Sequence, residues 1–210
     1  MTQFDHEAFW SARYRDAGED YLFGTAPNRF LAEQEALFQP GMQVLSVADG
    51  EGRNSVWLAE LGCSVTATEI SAVALAKAQK LAHGRHVSVD FVQADLLSWN
   101  WPQTTYDAIV GIFIQFVGPK ERDSLFAAMK QALKPGGVLL LQGYTPKQLE
   151  YRTGGPSAVE NLYTGELLRQ AFDTWEIVLL KEHEAEISEG RAHVGRSALI
   201  DLVVRKPTGR

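Results

Sequence analysis

Residues 42 to 70, MQVLSVADGEGRNSVWLAELGCSVTATEI, constrain this chain more than any other stretch: an apolar run, a glycine loop, a helical pattern and a second apolar run follow without interruption. Met42 to Ala48 lies between Pro40-Gly41 and Asp49-Gly50. Its shortness and valine content favour a buried parallel strand over a helix. Gly50 and Gly52 free the backbone for positive φ and for close approach to a ligand. Arg53 to Leu61 places Val56, Trp57 and Leu61 on one helical face, so the loop opens onto a helix N-terminus, which favours anionic or polar ligand groups. Gly62 supplies the stop. A strand, glycine loop, helix and strand in this order read as a nucleotide-cofactor site in an α/β fold.

The second run, Ser64 to Ile70, alternates β-branched residues and carries Glu69 near its end. An acid at the tip of the second strand, about 20 residues beyond the glycine loop, faces that loop across a crevice and accepts hydrogen bonds from ribose hydroxyls. Adenosine is therefore the expected common element. The dinucleotide pattern G-x-G-x-x-G needs a third glycine where Ser55 stands. This weakens NAD as the cofactor and leaves S-adenosyl-L-methionine.

The segment Ser46-Val47-Ala48-Asp49-Gly50-Glu51-Gly52 resembles the first motif of class I S-adenosylmethionine-dependent methyltransferases, and the chain resembles in particular their small tellurite-resistance and thiopurine-methyltransferase-like branch. Ser46 replaces the usual acid and Ala48 the first glycine. The resemblance covers nearly the whole chain. It implies a Rossmann-like, doubly wound, mostly parallel seven-stranded sheet with an antiparallel last strand. It also implies methyl transfer to a small-molecule acceptor, a soft nucleophile such as a thiol or a selenium or tellurium oxyanion. In the cofactor site it places Ala48, Asp49, Gly50, Gly52, Glu69, Ile70, Asp95, Leu96 and Ile112. Asp95 would accept the adenine amino hydrogen while Leu96 and Ile70 sandwich the ring, or Asp95 merely caps the next turn. The segment Tyr21-Leu-Phe-Gly-Thr-Ala-Pro-Asn28 resembles the branch's entry motif, which makes Tyr14, Tyr21 and Arg29 candidates for covering the methionine end. Glu189-Gly190-x-x-His193-x-Gly195 resembles the branch's final hairpin, and with it His193 and Arg196 become candidates for the acceptor side; the alternative is a solvated hairpin tip.

The rest of the chain alternates in the same manner. A first helix is expected over 5–17, with Phe9 and Trp10 either covering the crevice or docking the helix on the sheet. A second helix runs from Pro27 or Asn28 to about Phe38. Ser71 caps a helix through Ala82. Strands are expected over 87–94, 106–113 and 138–143, with a helix from Pro119 to Leu133. Two long final strands, 175–187 and 197–205, flank the segment 188–195. The carboxyl end of the fourth strand lies at the switch point where ligands bind, so the reaction centre is expected near 111–117. No asparagine or aspartate followed by Pro-Pro-aromatic occurs there, which argues against an amino-nucleobase acceptor. Gln115 either orients an acceptor or is a satisfied interior amide. Tyr144 to Pro156 reads as an active-site loop.

The 210 residues suit a single domain, with 1–38 as a helical cap and 42–206 as the core. A net charge of −6 disfavours a nucleic-acid partner. Cys63 is the only cysteine, no apolar stretch is long enough to span a membrane, and no export signal is legible, so a cytoplasmic monomer or homodimer is expected. His83 and His86 lack further ligands and Cys63 lacks a base, so neither a metal site nor a thiol nucleophile is expected. Two other readings share these features. One is an NAD-dependent oxidoreductase; the other is a protein that binds S-adenosylmethionine without turnover.

Overall fold

A computed structural model describes residues 4–191 and 193–209. The strands β1 (Gln43–Ser46), β2 (Ser64–Glu69), β3 (Asp90–Gln93), β4 (Tyr106–Ile112), β5 (Leu133–Tyr144), β6 (Glu176–Glu189) and β7 (His193–Arg205) form one sheet in the order β3-β2-β1-β4-β5-β7-β6. Strands β1 to β5 pair in parallel, and β7 inserts antiparallel between β5 and β6. This is the expected doubly wound seven-stranded sheet. Alternation along each strand sends side chains to opposite faces. Leu45, Ile109, Leu139 and Leu141 join one core with Leu125, Phe126 and Met129 of α5 (Pro119–Ala132) and Leu168 of α7 (Gly165–Ala171). Val44, Ala108, Val110 and Leu140 join the other with Leu31 of α2 (Arg29–Glu33) and Leu58 of α3 (Arg53–Glu60). The sheet edges are β3, of four residues, and β6, whose exposed side chains include Lys181, Glu182, Glu184 and Glu186, and short length and charge both discourage edge pairing.

Between β2 and β3 runs α4 (Ala72–Gly84), capped by Ser71, and α1 (His6–Asp16) lies against it. A short α6 (Gln148–Tyr151) occupies the expected active-site loop. Three expectations shift. The third strand is shorter than 87–94, because Val87 still bonds back to Ala82 at the end of α4. The second helix ends at Glu33 and continues as a 3₁₀ turn over Glu35–Leu37. The final hairpin is longer than expected, and β7 already begins at His193.

The hairpin tip is not a solvated loop. Arg191 donates from its backbone N–H to the Leu22 carbonyl, and its guanidinium reaches the Ala17 carbonyl at 3.1 Å. Gly190 has φ +66, and a Cβ there would collide with the Leu22 carbonyl oxygen. Gly190→Ala is therefore expected to destabilise the fold by about 2–4 kcal/mol, combining left-handed strain with overpacking, and a urea midpoint measures it. A midpoint within error of the wild type would show that the tip does not press on the N-terminal segment.

Candidate functional site

After β1 the chain turns through Ala48 (φ 49) and Gly50 (φ 64) and enters α3 from Gly52 (φ 91). Asp49 folds back under this turn. Its Oδ1 accepts from Ser46 Oγ at 2.5 Å and from the Ser55 backbone N–H at 3.2 Å, and its Oδ2 accepts from Ser55 Oγ. Burial outweighs these bonds and pushes the carboxyl up to about 6. Ser46 is thus the donor to an acid three residues downstream. Ala48 adopts a conformation that suits glycine, so Ala48→Gly should raise stability by about 0.5–1 kcal/mol, the left-handed strain relieved less the glycine entropy. A lower melting temperature in the variant would contradict this.

Glu69 lies opposite the loop at the end of β2. Its Oε2 accepts from the Gly50 N–H at 3.0 Å and its Oε1 from the Ser71 N–H at 2.9 Å. These contacts orient both oxygens, and burial raises the carboxyl to about 7. A cleft of about 850 Å³, counting its open mouth, starts here. Ala48, Asp49, Gly50, Glu69, Ile70, Asp95, Leu96 and Ile112 line it. Asp95 is exposed at the mouth, and its Oδ1 accepts the Leu97 N–H at 3.0 Å, so it caps the following turn. One face of α1 closes the cleft, with His6, Trp10 and Tyr14 spaced one helical turn apart. Tyr14 is so close that a Cβ on Gly50 would stand 2.9 Å from its hydroxyl.

A second, wider pocket adjoins the first and shares His6, Trp10, Phe23, Phe113, Phe116 and His193 with it. Phe4, Phe9 and Tyr144 add further aromatic wall, and the loop 154–158 forms the far side. His193 stands between the two spaces, its ring 4.5 Å from those of both Phe23 and Phe113. Its Nδ1 is buried and finds no partner among the described residues. Desolvation, and then the nearby Arg53 and Arg13, push the imidazole down to about 3, so it is neutral.

Five of the expected site residues have other work. Gly52 lies outside the cleft lining, and a Cβ there would stand 2.8 Å from the Ala78 Cβ, so this glycine serves the approach of α3 to α4. Tyr21 donates to the Lys77 carbonyl at 3.1 Å and packs on a small cluster outside the cleft. Arg29 is exposed and pairs with Glu33 one turn on. Arg196 points away from the cleft because strand alternation opposes it to His193; it pairs with Glu184 at 2.7 Å and lies over the Tyr151 ring. Gln115 borders the second pocket but spends both amide hydrogens on the carbonyls of Tyr144 (2.9 Å) and Asn161 (3.1 Å), while its oxygen accepts the Tyr144 N–H. It is the satisfied interior amide.

Other participants were not legible in the sequence. Buried Glu51 accepts the Leu22 N–H at 2.6 Å and pairs with Lys77 at 2.9 Å, while Lys77 also donates to the Tyr14 and Asp20 carbonyls. This ties the N-terminal segment over the loop. Arg53 lines the cleft and pairs with Glu189 at 2.7 Å. Asn28 bonds Glu189 and Gln142, and Gln142 bonds Asp201, so a chain of buried polar groups joins the loop region to the final hairpin. The turn-by-turn aromatic spacing of His6, Trp10 and Tyr14 was the available signal for α1; nothing local in the sequence marks the Arg53–Glu189 pair, whose partners are 136 residues apart (189 − 53).

Residues 44–137 match a family described as methyltransferase domain. The ribosomal protein L11 methyltransferase of Dictyoglomus turgidum is 29% identical over 138 residues, covering 64% of this chain and 44% of that protein. The chain thus spans less than half the length of this relative. Among solved structures, a protein from the conversion of a disulfide bond into a thioacetal group during echinomycin biosynthesis superposes with a TM-score of 0.79 at 18% identity, covering 98% of this chain and 94% of that one. TehB from Haemophilus influenzae superposes with a TM-score of 0.71 at 19% identity, covering 95% and 66%. The segment 44–137 is a methyltransferase domain, and the cofactor that goes with it is S-adenosyl-L-methionine.

Proposed function

We propose that this methyltransferase domain serves a chain that methylates an organic small molecule through a soft nucleophile, a thiol attached to an apolar body. The observation that carries the reading is the pair of adjoining spaces, a cleft with an oriented carboxylate at Glu69 and an aromatic pocket that meets it at His193 and Phe113. The residues fit the cofactor. Glu69 keeps acceptor capacity for two ribose hydroxyls, Asp95 offers an acceptor beside the apolar Leu96 and Ile70 for adenine, and Gly50 permits close approach. When bound, the cofactor supplies a methyl group on a sulfonium.

This chain's own task is alignment and exclusion of water. Trp10, Phe23, Phe113 and Phe116 wall the junction, so an acceptor there loses its hydration and its range of approach angles. A neutral His193 adds no repulsion towards a cation and has one ring N–H that can be donated to an acceptor sulfur. Among the described residues lining the second pocket, the lysines and arginines are represented by exposed Arg13 alone, with Glu121 opposing it in charge. An inorganic oxyanion such as selenite or tellurite finds little compensation there for lost water. The sulfur chemistry of the echinomycin neighbour supports the choice of sulfur. The likeness to TehB supports kinship with the tellurite-resistance branch in architecture rather than in acceptor.

Titration calorimetry with S-adenosylhomocysteine and NADH, followed by methyl transfer to apolar thiols, selenite and tellurite, tests the reading. Binding of the adenosyl ligand alone and turnover of thiols over oxyanions is expected. Binding of NADH alone would return the glycine loop to the dinucleotide class, and adenosyl binding without turnover on a broad panel would favour a non-catalytic binder.

A further inference from the structure

A hydroxyl or ring nitrogen enclosed by protein almost always finds a hydrogen-bond partner. Among the described residues, enclosed side-chain atoms without one occur in Arg53 and Glu189, which serve each other as an ion pair at 2.7 Å, and in His6, Arg122, Tyr144 and His193. Tyr144 and His193 are neighbours on the wall of the second pocket, their rings edge to face with centroids 5.9 Å apart. The two unspent atoms are complementary. The Tyr144 hydroxyl can donate, and Nδ1 of a neutral His193 can accept. Tyr144 packs with Leu162 and Leu199, where phenylalanine would fill the same space without enclosing a hydroxyl.

Building on the reading of His193 as the group that orients the acceptor sulfur, we propose that Tyr144 is its positioning residue: with the cofactor site filled, the Tyr144 hydroxyl donates to His193 Nδ1 and fixes the imidazole proton on Nε2, towards the acceptor. Hydrogen bonds within a catalytic site are often long or misaligned without ligand and tighten when the site fills. The bond that one ring nitrogen makes decides which nitrogen of a neutral imidazole carries the proton. Here Nδ1 is the enclosed nitrogen, which leaves Nε2 for the two spaces that His193 lines. The surroundings hold the phenol in place. Phe113 keeps a left-handed backbone (φ 58), a costly conformation for an aromatic residue, and its ring stacks on Tyr144 at 4.7 Å and meets His193 at 4.5 Å. A Cβ on Gly155 would stand 2.7 Å from the Tyr144 ring. The carboxylate of Glu189 is already engaged, one oxygen by Asn28 and the other by Arg53, so Nδ1 is the acceptor left to the hydroxyl. Burial first, then the charge of Glu189, hold the phenol above its usual range, so it keeps the proton it has to donate.

The test observes the imidazole directly. In protein carrying isotope-labelled histidine and saturated with S-adenosylhomocysteine, long-range proton–nitrogen correlation separates the two ring nitrogens, and the signals missing from His193→Phe identify this residue among the five histidines. Wild type should carry the proton on Nε2, with Nδ1 at the shift of a hydrogen-bonded acceptor. In Tyr144→Phe, which removes a single oxygen, the Nδ1 signal should move downfield as its donor is lost. With the cofactor saturating and benzyl thiol as acceptor, Tyr144→Phe should lower kcat/KM about three- to fivefold while S-adenosylhomocysteine affinity stays within about twofold. The double variant Tyr144→Phe/His193→Phe should lose no more than His193→Phe alone, because the hydroxyl acts through the imidazole. A proton on Nδ1 in wild type, an Nδ1 signal that Tyr144→Phe leaves in place, or losses that multiply in the double variant would overturn the assignment. Absence of thiol turnover in wild type would instead overturn the acceptor reading on which it rests, and the nitrogen shifts would still show whether the bond forms.

Discussion

Glu69→Gln is expected to weaken S-adenosylhomocysteine binding by about 30- to 100-fold, the loss of two charge-assisted hydrogen bonds to the ribose. The carboxylate holds two backbone N–H groups, from Gly50 and Ser71, and still has lone pairs for a ligand. An amide in its place accepts through one atom only and presents a donor to one of those N–H groups, so both the loop and the ribose contacts suffer. Wild type should also show a pH dependence. Burial first, then the charge of Asp49, hold the Glu69 carboxyl up at about 7. Below that pH the free protein carries a proton that must leave before both oxygens can accept, so affinity should fall by up to about tenfold from pH 8 to pH 6. The glutamine variant should be flat over that range. An equal pH dependence in both proteins would remove Glu69 from the ribose site. Binding reports this more clearly than melting does. The raised pKa of Glu69 contributes stability that is full below its unfolded value of 4.5 and is lost as pH rises through about 7. His193, held down at about 3, acts in the opposite sense: its contribution is present above its unfolded value of 6.5 and is lost as pH falls towards 3. The two overlap between pH 4.5 and 6.5 and partly cancel.

The parts of the site that could be read from the sequence are those fixed by short-range rules. Strand length, a glycine loop and a fixed spacing place Gly50, Glu69 and Asp95 at the carboxyl ends of neighbouring parallel strands, and alternating strands and helices imply a mostly parallel sheet with helices on both faces. What failed depended on which face of an element looks inward. Arg196 is two residues from Val194 and three from His193, and the strand period alone sends it outward. Tyr21 and Arg29 lie on a segment whose path is set by Glu51, Lys77 and the Gly190 turn, contacts distant in sequence. Gly52 looks like a ligand-approach glycine in the sequence and is a helix-packing glycine in the fold, because α4 passes within reach of its missing side chain. The aromatic pocket was hidden for a related reason. Phe23, Phe113 and Phe116 each read as ordinary apolar residues, and only the closing of α1 and the hairpin over the sheet brings them together.

His193→Phe is expected to lower kcat/KM for a thiol acceptor by about fivefold while S-adenosylhomocysteine affinity stays within about twofold, since a lost hydrogen bond is worth about 1 kcal/mol and the ring volume is kept. The effect should be smaller than removal of a strong general base, which costs about 10²–10⁴. The reason lies in the surroundings of the imidazole. Phe23, Phe113 and Tyr144 desolvate it and Arg53 repels a second positive charge, so it is neutral throughout the working range and a poor proton acceptor. A thiol of pKa about 8.5 therefore gives up its proton mainly to solvent before transfer, and the imidazole orients the sulfur. It follows that, with the cofactor held saturating, kcat/KM for the acceptor in wild type should rise with pH along the acceptor's own titration, with no break between pH 5 and pH 8, and that a more acidic thiol should shift the whole profile to lower pH. His193→Phe should shift the level of that profile and leave its midpoint in place. A break between pH 5 and pH 8 that is present in wild type and absent in the variant would show that the imidazole takes the proton once the acceptor is bound, and the role of His193 would change from orienting group to base.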